Sequence, residues 1–160
     1  MKSEEFQYCP QDEIKLFQEK KLIEVLNYVN VKSPYYKELF SERHIDITKI
    51  EHLEDLRQIP VTTKEHLQVR NMDFLCVPTN RVLDYVTTSG TLGNPVSFAL
   101  TKSDLERLAL SEYLSYEICG CDRDDILQLM VTNDRCFMAG LASLMGSFAY
   151  GSGITRVGNG

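Results

Sequence analysis

Several features that would announce a function are missing from these 160 residues. No apolar run approaches the length of about 20 residues that a membrane-spanning helix needs. The opening stretch, Met1 to Pro10, lacks the apolar centre of a signal peptide, so the expected compartment is the cytoplasm, with no membrane partner. No block of five like charges occurs, and the net charge is -6. A nucleic-acid partner calls for a basic stripe to neutralise phosphates, so none is expected. The five cysteines (Cys9, Cys76, Cys119, Cys121, Cys136) are odd in number and irregular in spacing. They fit neither a disulfide framework nor a zinc site and are expected to be buried structural thiols. His44, His52 and His66 show no metal-binding spacing, so they read as surface or packing residues and no metal site is assigned.

What is present is a chain that changes character near Leu83. Before it, the pattern is helical. From about Gln11 to Asn30, Ile14, Phe17, Leu22, Val25, Leu26 and Val29 recur at spacings of three to five, the stripe of an amphipathic helix. Ser33-Pro34 starts a second helix, with Ser33 as cap, Pro34 at the tolerated first position and Tyr35, Tyr36, Leu39 and Phe40 as its apolar side. Pro60 should end whatever helix holds Leu53 and Leu56. Thr62, with Glu65 three residues on, reads as the cap of a further helix. After it come strand patterns at Leu83–Thr87 and Val96–Leu100. A helix capped by Thr101 or Ser103 runs to about Cys119, with Leu105, Leu108, Ala109, Tyr113, Leu114 and Ile118 inward and Gly120 as its left-handed stop. Ile126 to Val131 reads as a buried parallel strand, Cys136 to Tyr150 as a small-residue helix, and Ile154 to Val157 as another strand. The fold class is therefore α/β: a mostly helical segment over residues 1–80, then a partial βαβαβ layered sheet over 81–160. The last strand pattern runs straight into Gly158-Asn159-Gly160, leaving a sheet edge that awaits a next strand. Open edges and uncovered apolar faces favour self-association, by pairing edge strands or exchanging amino-terminal helices, so a homo-oligomer is expected.

Between the first two strand patterns lies the loop 87–95, Thr87-Thr88-Ser89-Gly90-Thr91-Leu92-Gly93-Asn94-Pro95. Its glycines permit close backbone approach to a ligand. Successive N–H groups in such a turn can form an anion-binding nest, to which the hydroxyls of Thr88, Ser89 and Thr91 add donors. It is not the Walker pattern, because the lysine and the glycine spacing are absent. A solvent-exposed hairpin turn has much the same composition. The loop is longer than a hairpin requires, and it packs four hydroxyls into five positions.

Thr88 to Pro95 is similar to the Ser/Thr-Ser-Gly-Thr-Thr-Gly-Lys-Pro signature of adenylate-forming enzymes. The flanks resemble the phenylacetate–coenzyme A ligase branch of that superfamily. Ser33-Pro34-Tyr35-Tyr36-Lys37 looks like its helix with a proline and two tyrosines, and Ile59-Pro60-Val61-Thr62-Thr63-Lys64 like its Leu-Pro-x-Thr-Thr-Lys segment. Leu100-Thr101-Lys102 is similar to its Tyr-Thr-Lys after the loop. The resemblance runs from about residue 12 to the end. It implies the amino-terminal part of an ATP-dependent carboxylate–CoA ligase, with an incomplete large domain and a phosphate loop at 87–95.

In that resemblance Thr88, Ser89, Gly90, Thr91, Gly93 and Asn94 hold nucleotide phosphates. ATP, Mg and coenzyme A are the implied cofactors, and the implied substrate is a small carboxylate, an aromatic acid such as phenylacetate. Phe137, in Asp134-Arg135-Cys136-Phe137-Met138-Ala139-Gly140, matches an aromatic that lines the family's acyl pocket, although a core phenylalanine under a helix has the same signature. Leu92 and Asn94 depart from the family's second threonine and lysine. Losing a charge-assisted phosphate contact costs about 1.5–3 kcal/mol, while the Asn94 amide still donates. No general acid, base or nucleophile is assignable, and Ser89 and Thr91 have no His–Asp pair that would make a hydrolytic triad. The family's adenine and hinge motifs and its adenylation lysine have no counterpart in these residues, so the chain alone is expected to be inactive. The alternatives are an acyl-protein synthetase-like homologue, or a non-enzymatic interaction protein that keeps the fold.

Overall fold

In the computed structural model, which describes residues 9–88, 95–134 and 136–158, the chain divides into two units, Met1–Cys76 and Val77–Gly160. The first is helical. Helix α1 (Gln11–Lys32) and helix α2 (Pro34–Glu42) are separated by the single residue Ser33. The Ser33 hydroxyl accepts from the Tyr36 N–H at 3.3 Å and donates to the Asp73 carbonyl at 2.8 Å. One buried hydroxyl thus caps α2 and ties it to the 3-10 turn at Asn71–Phe74. Pro34 takes the first helical position, where a missing N–H costs nothing. Leu26 of α1, Phe40 of α2 and Ile50 form the core, with Leu22, Val29, Leu39, Ile45 and Ile59 packed around them. Tyr35 stacks on Phe74 with centroids 4.1 Å apart.

Two expectations in this unit shift. Phe17 and Val25 of the α1 stripe are exposed, because α1 is apolar around much of its circumference and only one arc faces α2. Helix α3 (Lys64–Val69) is capped one residue later than expected, by Thr63. Thr63 and His66 exchange bonds: the His66 N–H donates to the Thr63 hydroxyl at 3.4 Å, and the Thr63 N–H to His66 Nδ1 at 3.1 Å. The Thr62 hydroxyl lies instead 3.1 Å from that of Tyr36.

In the second unit, β1 (Asp84–Thr87) and β2 (Ser97–Leu100) form an antiparallel pair, with Asp84 opposite Leu100 and Thr87 opposite Ser97. Helix α4 (Lys102–Ile118) follows, then β3 (Ile126–Leu129), α5 (Met138–Tyr150) and β4 (Gly153–Arg156). Strands β3 and β4 are parallel and joined through α5. The α/β class holds, with a finer topology than a single βαβαβ sheet: the strands form two separate two-stranded sheets. Within each sheet the connection differs: β1 and β2 are joined directly by a loop, β3 and β4 through α5, and α4 separates the two pairs along the chain. Helices α4 and α5 pack closely where Gly146 lies against the Glu112 side chain. Tyr113 and Tyr116 meet the Tyr150 ring edge-on. Gly120 (φ 77°) and Gly151 (φ 84°) end these helices in the left-handed region that glycine adopts without penalty. Contrary to expectation, Cys119 and Cys136 are exposed, and so is Ile118 in the last turn of α4. Strand β3 is buried on one face only: Leu129 is covered, Ile126 is not.

Candidate functional site

The site begins at the carboxyl end of β1. The Thr88 N–H donates to the Val96 carbonyl at 3.0 Å, and the Val96 N–H donates to the Thr88 hydroxyl at 3.0 Å. These two bonds close the neck of the hydroxyl–glycine loop. Val96 is buried (3% exposed), so its N–H depends on that hydroxyl for a partner. A threonine hydroxyl has two acceptor lone pairs and one proton. Thr88 therefore serves the neck with a lone pair while its O–H remains a donor, the polarity a phosphate oxygen requires.

The same strand end is clamped from its other side. Thr87 pairs in parallel fashion with Phe137 through an isolated bridge, and the Thr87 N–H donates to the Cys136 carbonyl at 2.8 Å. Phe137 is the residue immediately before α5, and its N–H donates to the Asp134 carbonyl at 3.2 Å. Cys136 reaches this position with φ 59°, a left-handed conformation uncommon outside glycine. Phe137, Val86, Leu141 and Leu144 line a small cavity of about 90 Å³, with Asp84, Asn133 and Cys136 as its polar wall. Gly140, in the first turn of α5, lies so close to Thr132 and Asn133 that a methyl group there would overlap both.

Of the residues singled out from sequence, the structure places Thr88 at the loop neck and Phe137 across the strand end from it. Ser89, Gly90, Thr91, Leu92, Gly93 and Asn94 lie outside the described residues. Sequence reasoning missed the Thr87–Cys136 bond, because backbone pairing across 49 positions leaves no local signature, and it missed the Val96 latch, because sequence does not reveal which N–H a threonine hydroxyl serves. It also passed over Gly140, whose place in an otherwise good helix-forming run was a readable sign of close approach. Among the described residues no group of three or more His, Cys, Asp or Glu side chains could hold a metal ion. Magnesium thus has no carboxylate cradle in the described part of this chain.

Comparison with known proteins gives this geometry its context. A phenylacetate–coenzyme A ligase of Thermus thermophilus is 32% identical over 106 residues, covering 66% of this chain and 24% of that protein. One from Escherichia coli K12 is 29% identical over 99 residues, covering 61% and 23%. The chain is a sequence relative of the phenylacetate–coenzyme A ligases. It spans about a quarter of their length. No family model matches it. Among solved structures, a 2-hydroxyisobutyryl-CoA ligase in complex with 2-HIB-AMP and CoA in the thioesterification state aligns with a TM-score of 0.85 at 22% identity. That alignment covers 94% of this chain and 33% of the ligase. The postadenylation state of the same ligase gives 0.83 at 21%. At such identity the likeness establishes a shared fold, that of an acyl-CoA ligase. No helix among the described residues is long and apolar enough to cross a membrane.

Proposed function

We propose that this chain carries the nucleotide-phosphate and acyl-facing portion of an ATP-dependent carboxylate–CoA ligase. In this reading residues 81–160 form the nucleotide-binding part and residues 1–80 its helical companion. The parent reaction is attack of a carboxylate oxygen on the α-phosphorus of ATP, expelling pyrophosphate, followed by transfer of the acyl group from AMP to the thiol of coenzyme A. The loop donors Thr88, Ser89, Gly90, Thr91, Gly93 and Asn94 hold the β- and γ-phosphates and stabilise the charge that gathers on the leaving pyrophosphate. Phe137 faces the acyl group. An aromatic acid is the carboxylate we favour, in keeping with the names of the sequence relatives. The cytoplasm, where ATP and coenzyme A meet, is the compartment. The observation that carries the reading is the double clamp on β1, with Thr88 latched to Val96 on one side and Thr87 paired to Cys136 and Phe137 on the other. It supports the reading by bringing Thr88, where that loop begins, and Phe137 to the same strand end.

The test is binding of Mg·ATP read as thermal stabilisation. At 100 times the dissociation constant a ligand adds about 2.7 kcal/mol. Asn94→Lys, which supplies the charge-assisted phosphate contact this loop lacks, is expected to tighten binding by about tenfold or more, the equivalent of about 1.5 kcal/mol. The chain spans a third of the solved ligase and is not expected to form a hydroxamate from a carboxylic acid, ATP and hydroxylamine on its own. Absence of any shift at millimolar Mg·ATP, in both the native chain and Asn94→Lys, would overturn the nucleotide reading and favour a non-enzymatic interaction protein.

A further inference from the structure

The capping box that starts α3 has an uncommon member. Such a box ordinarily sets a Glu or Gln at the third helical residue, whose side chain accepts the N–H of the cap. Here that residue is His66. Its Nδ1 accepts the Thr63 N–H at 3.1 Å, while its own N–H donates to the Thr63 hydroxyl at 3.4 Å. An imidazole nitrogen accepts only through a free lone pair, so Nδ1 is bare and the ring proton sits on Nε2. A carboxylate or an amide keeps its acceptor throughout the neutral range, whereas imidazole takes up a second proton within it.

We propose that this box is a pH-sensitive cap, in which protonation of His66 at Nδ1 ends the bond from the Thr63 N–H and releases the start of α3. Two effects act in the same direction. A charged imidazole has no acceptor left, and it sets a positive charge in the first turn of a helix, where the macrodipole disfavours it. The neighbouring charges do not reverse this. On α3 itself Glu65 attracts a charged ring and Lys64 repels it, both at exposed positions where solvent screens them. From α2, the Tyr35 ring lies 5.7 Å from the imidazole. Arg70 already sits over that ring at 5.3 Å, with its own charge paired to Glu38 and Asp73. A direct bond outweighs these screened or already paired charges, so the cap is present above the imidazole range and lost below it. The release is confined by two anchors. Before α3, the Thr62 hydroxyl stays 3.1 Å from that of Tyr36, and after it the Asp73 carbonyl stays bonded to the Ser33 hydroxyl. The proposal is independent of the ligase reading.

The test is amide hydrogen exchange of the intact 160-residue chain at about pH 8 and about pH 5.5, either side of the imidazole range. Protection factors are compared, so that the chemical pH dependence of exchange divides out. Protection of the α3 amides should fall about fivefold on acidification, the worth of one ordinary hydrogen bond. Nitrogen-15 shifts of the His66 ring should show Nδ1 without a proton at the higher pH. His66→Gln keeps an acceptor that does not titrate, so its α3 should stay protected at both pH values. His66→Ala should be as poorly protected at both as the native chain is at the lower. Native protection that does not change with pH overturns the proposal, and so does a proton on Nδ1 at the higher pH. An equal fall in His66→Gln also overturns it, because the effect would then belong to Glu65 or to a group elsewhere.

Discussion

Replacing Gly140 by alanine opposes two physical effects at one atom. Alanine is the best helix former, and inside α5 it would stabilise by about 1 kcal/mol over glycine if nothing stood nearby. The structure puts something there. A Cβ at position 140 would fall 2.5 Å from Asn133 Oδ1 and 2.9 Å from the Thr132 carbonyl carbon, and closer still to that carbonyl's oxygen. Even the Asn133 contact is about 0.9 Å short of ordinary van der Waals distance. Asn133 can swing its side chain away, but the Thr132 obstacle is main chain, so the first turn of α5 must move off the 132–134 segment. Overpacking of this kind costs about 1–3 kcal/mol and sometimes more; against backbone we expect the upper end, leaving a net loss of about 2 kcal/mol. Movement there also disturbs Phe137 and the Thr87–Cys136 bond, so the loss should reach β1. The assay is hydrogen exchange at the amides of α5 and β1, with Gly151→Ala as the reference. At Gly151 nothing lies within 4 Å, and the penalty comes from φ 84° alone, about 1–2 kcal/mol. Protection of α5 that is unchanged or improved in Gly140→Ala, as propensity by itself dictates, would refute this account of the site.

Thr88→Val keeps the shape and removes the hydroxyl that satisfies the buried Val96 N–H; the α/β unit should lose about 1–2 kcal/mol by denaturant unfolding, and Thr88→Ser should recover most of it. Ser33→Ala deletes the α2 cap and the bond to the Asp73 carbonyl together, so a loss of about 2 kcal/mol is expected in the helical unit, measurable as faster exchange in α2. For Asp104, burial pushes the carboxyl pKa up, but bonds from the Thr101 hydroxyl and N–H and the nearby Arg107 outweigh it and hold the pKa below the usual carboxylate range. Because the folded value is the lower one, this stabilisation is complete above the ordinary aspartate range and is lost as pH falls through the folded pKa. The amino-terminal turn of α4 should therefore loosen on acidification, and Asp104→Asn should flatten that dependence in exchange measurements of the α4 amides.

How much of this could be read beforehand follows from where each signal lies in the chain. The Ser33-Pro34 start of α2 and the Gly120 stop of α4 were legible because a cap and its helix are sequence neighbours. The capping site of α3 was missed by one residue, because either Thr62 or Thr63 could serve. The choice was made by Tyr36, 26 positions away from Thr62, whose hydroxyl occupies the Thr62 side chain. The stripe on α1 was over-read for a related reason. Periodicity shows that residues share a face, and it cannot show which of two apolar faces finds a neighbour within the chain. The division of the strands into two sheets depended on a hairpin and a crossover whose sequence patterns, two short apolar runs apiece, are alike.

For the site itself, the distinction between placing a phosphate loop and equipping it separates what is common from what is particular to this chain. Placement rests on the main-chain and hydroxyl bonds at Thr87, Thr88, Val96 and Cys136, none of which requires the residue at 92 or 94. In the proposed reading, Leu92 and Asn94 bear on what the loop offers to nucleotide. On that proposal, a neck built as this one is would be compatible with a nucleotide affinity that varies by about 1.5–3 kcal/mol, the worth of one charge-assisted contact. It follows that loss of affinity at 94 should leave stability untouched, whereas damage at Thr88 should lower both. Measuring unfolding and Mg·ATP binding on the same two variants, Asn94→Ala and Thr88→Val, separates the effects. Equal loss of stability in both would show that the loop and its neck fold as one unit, and that placement depends on residues within the loop after all.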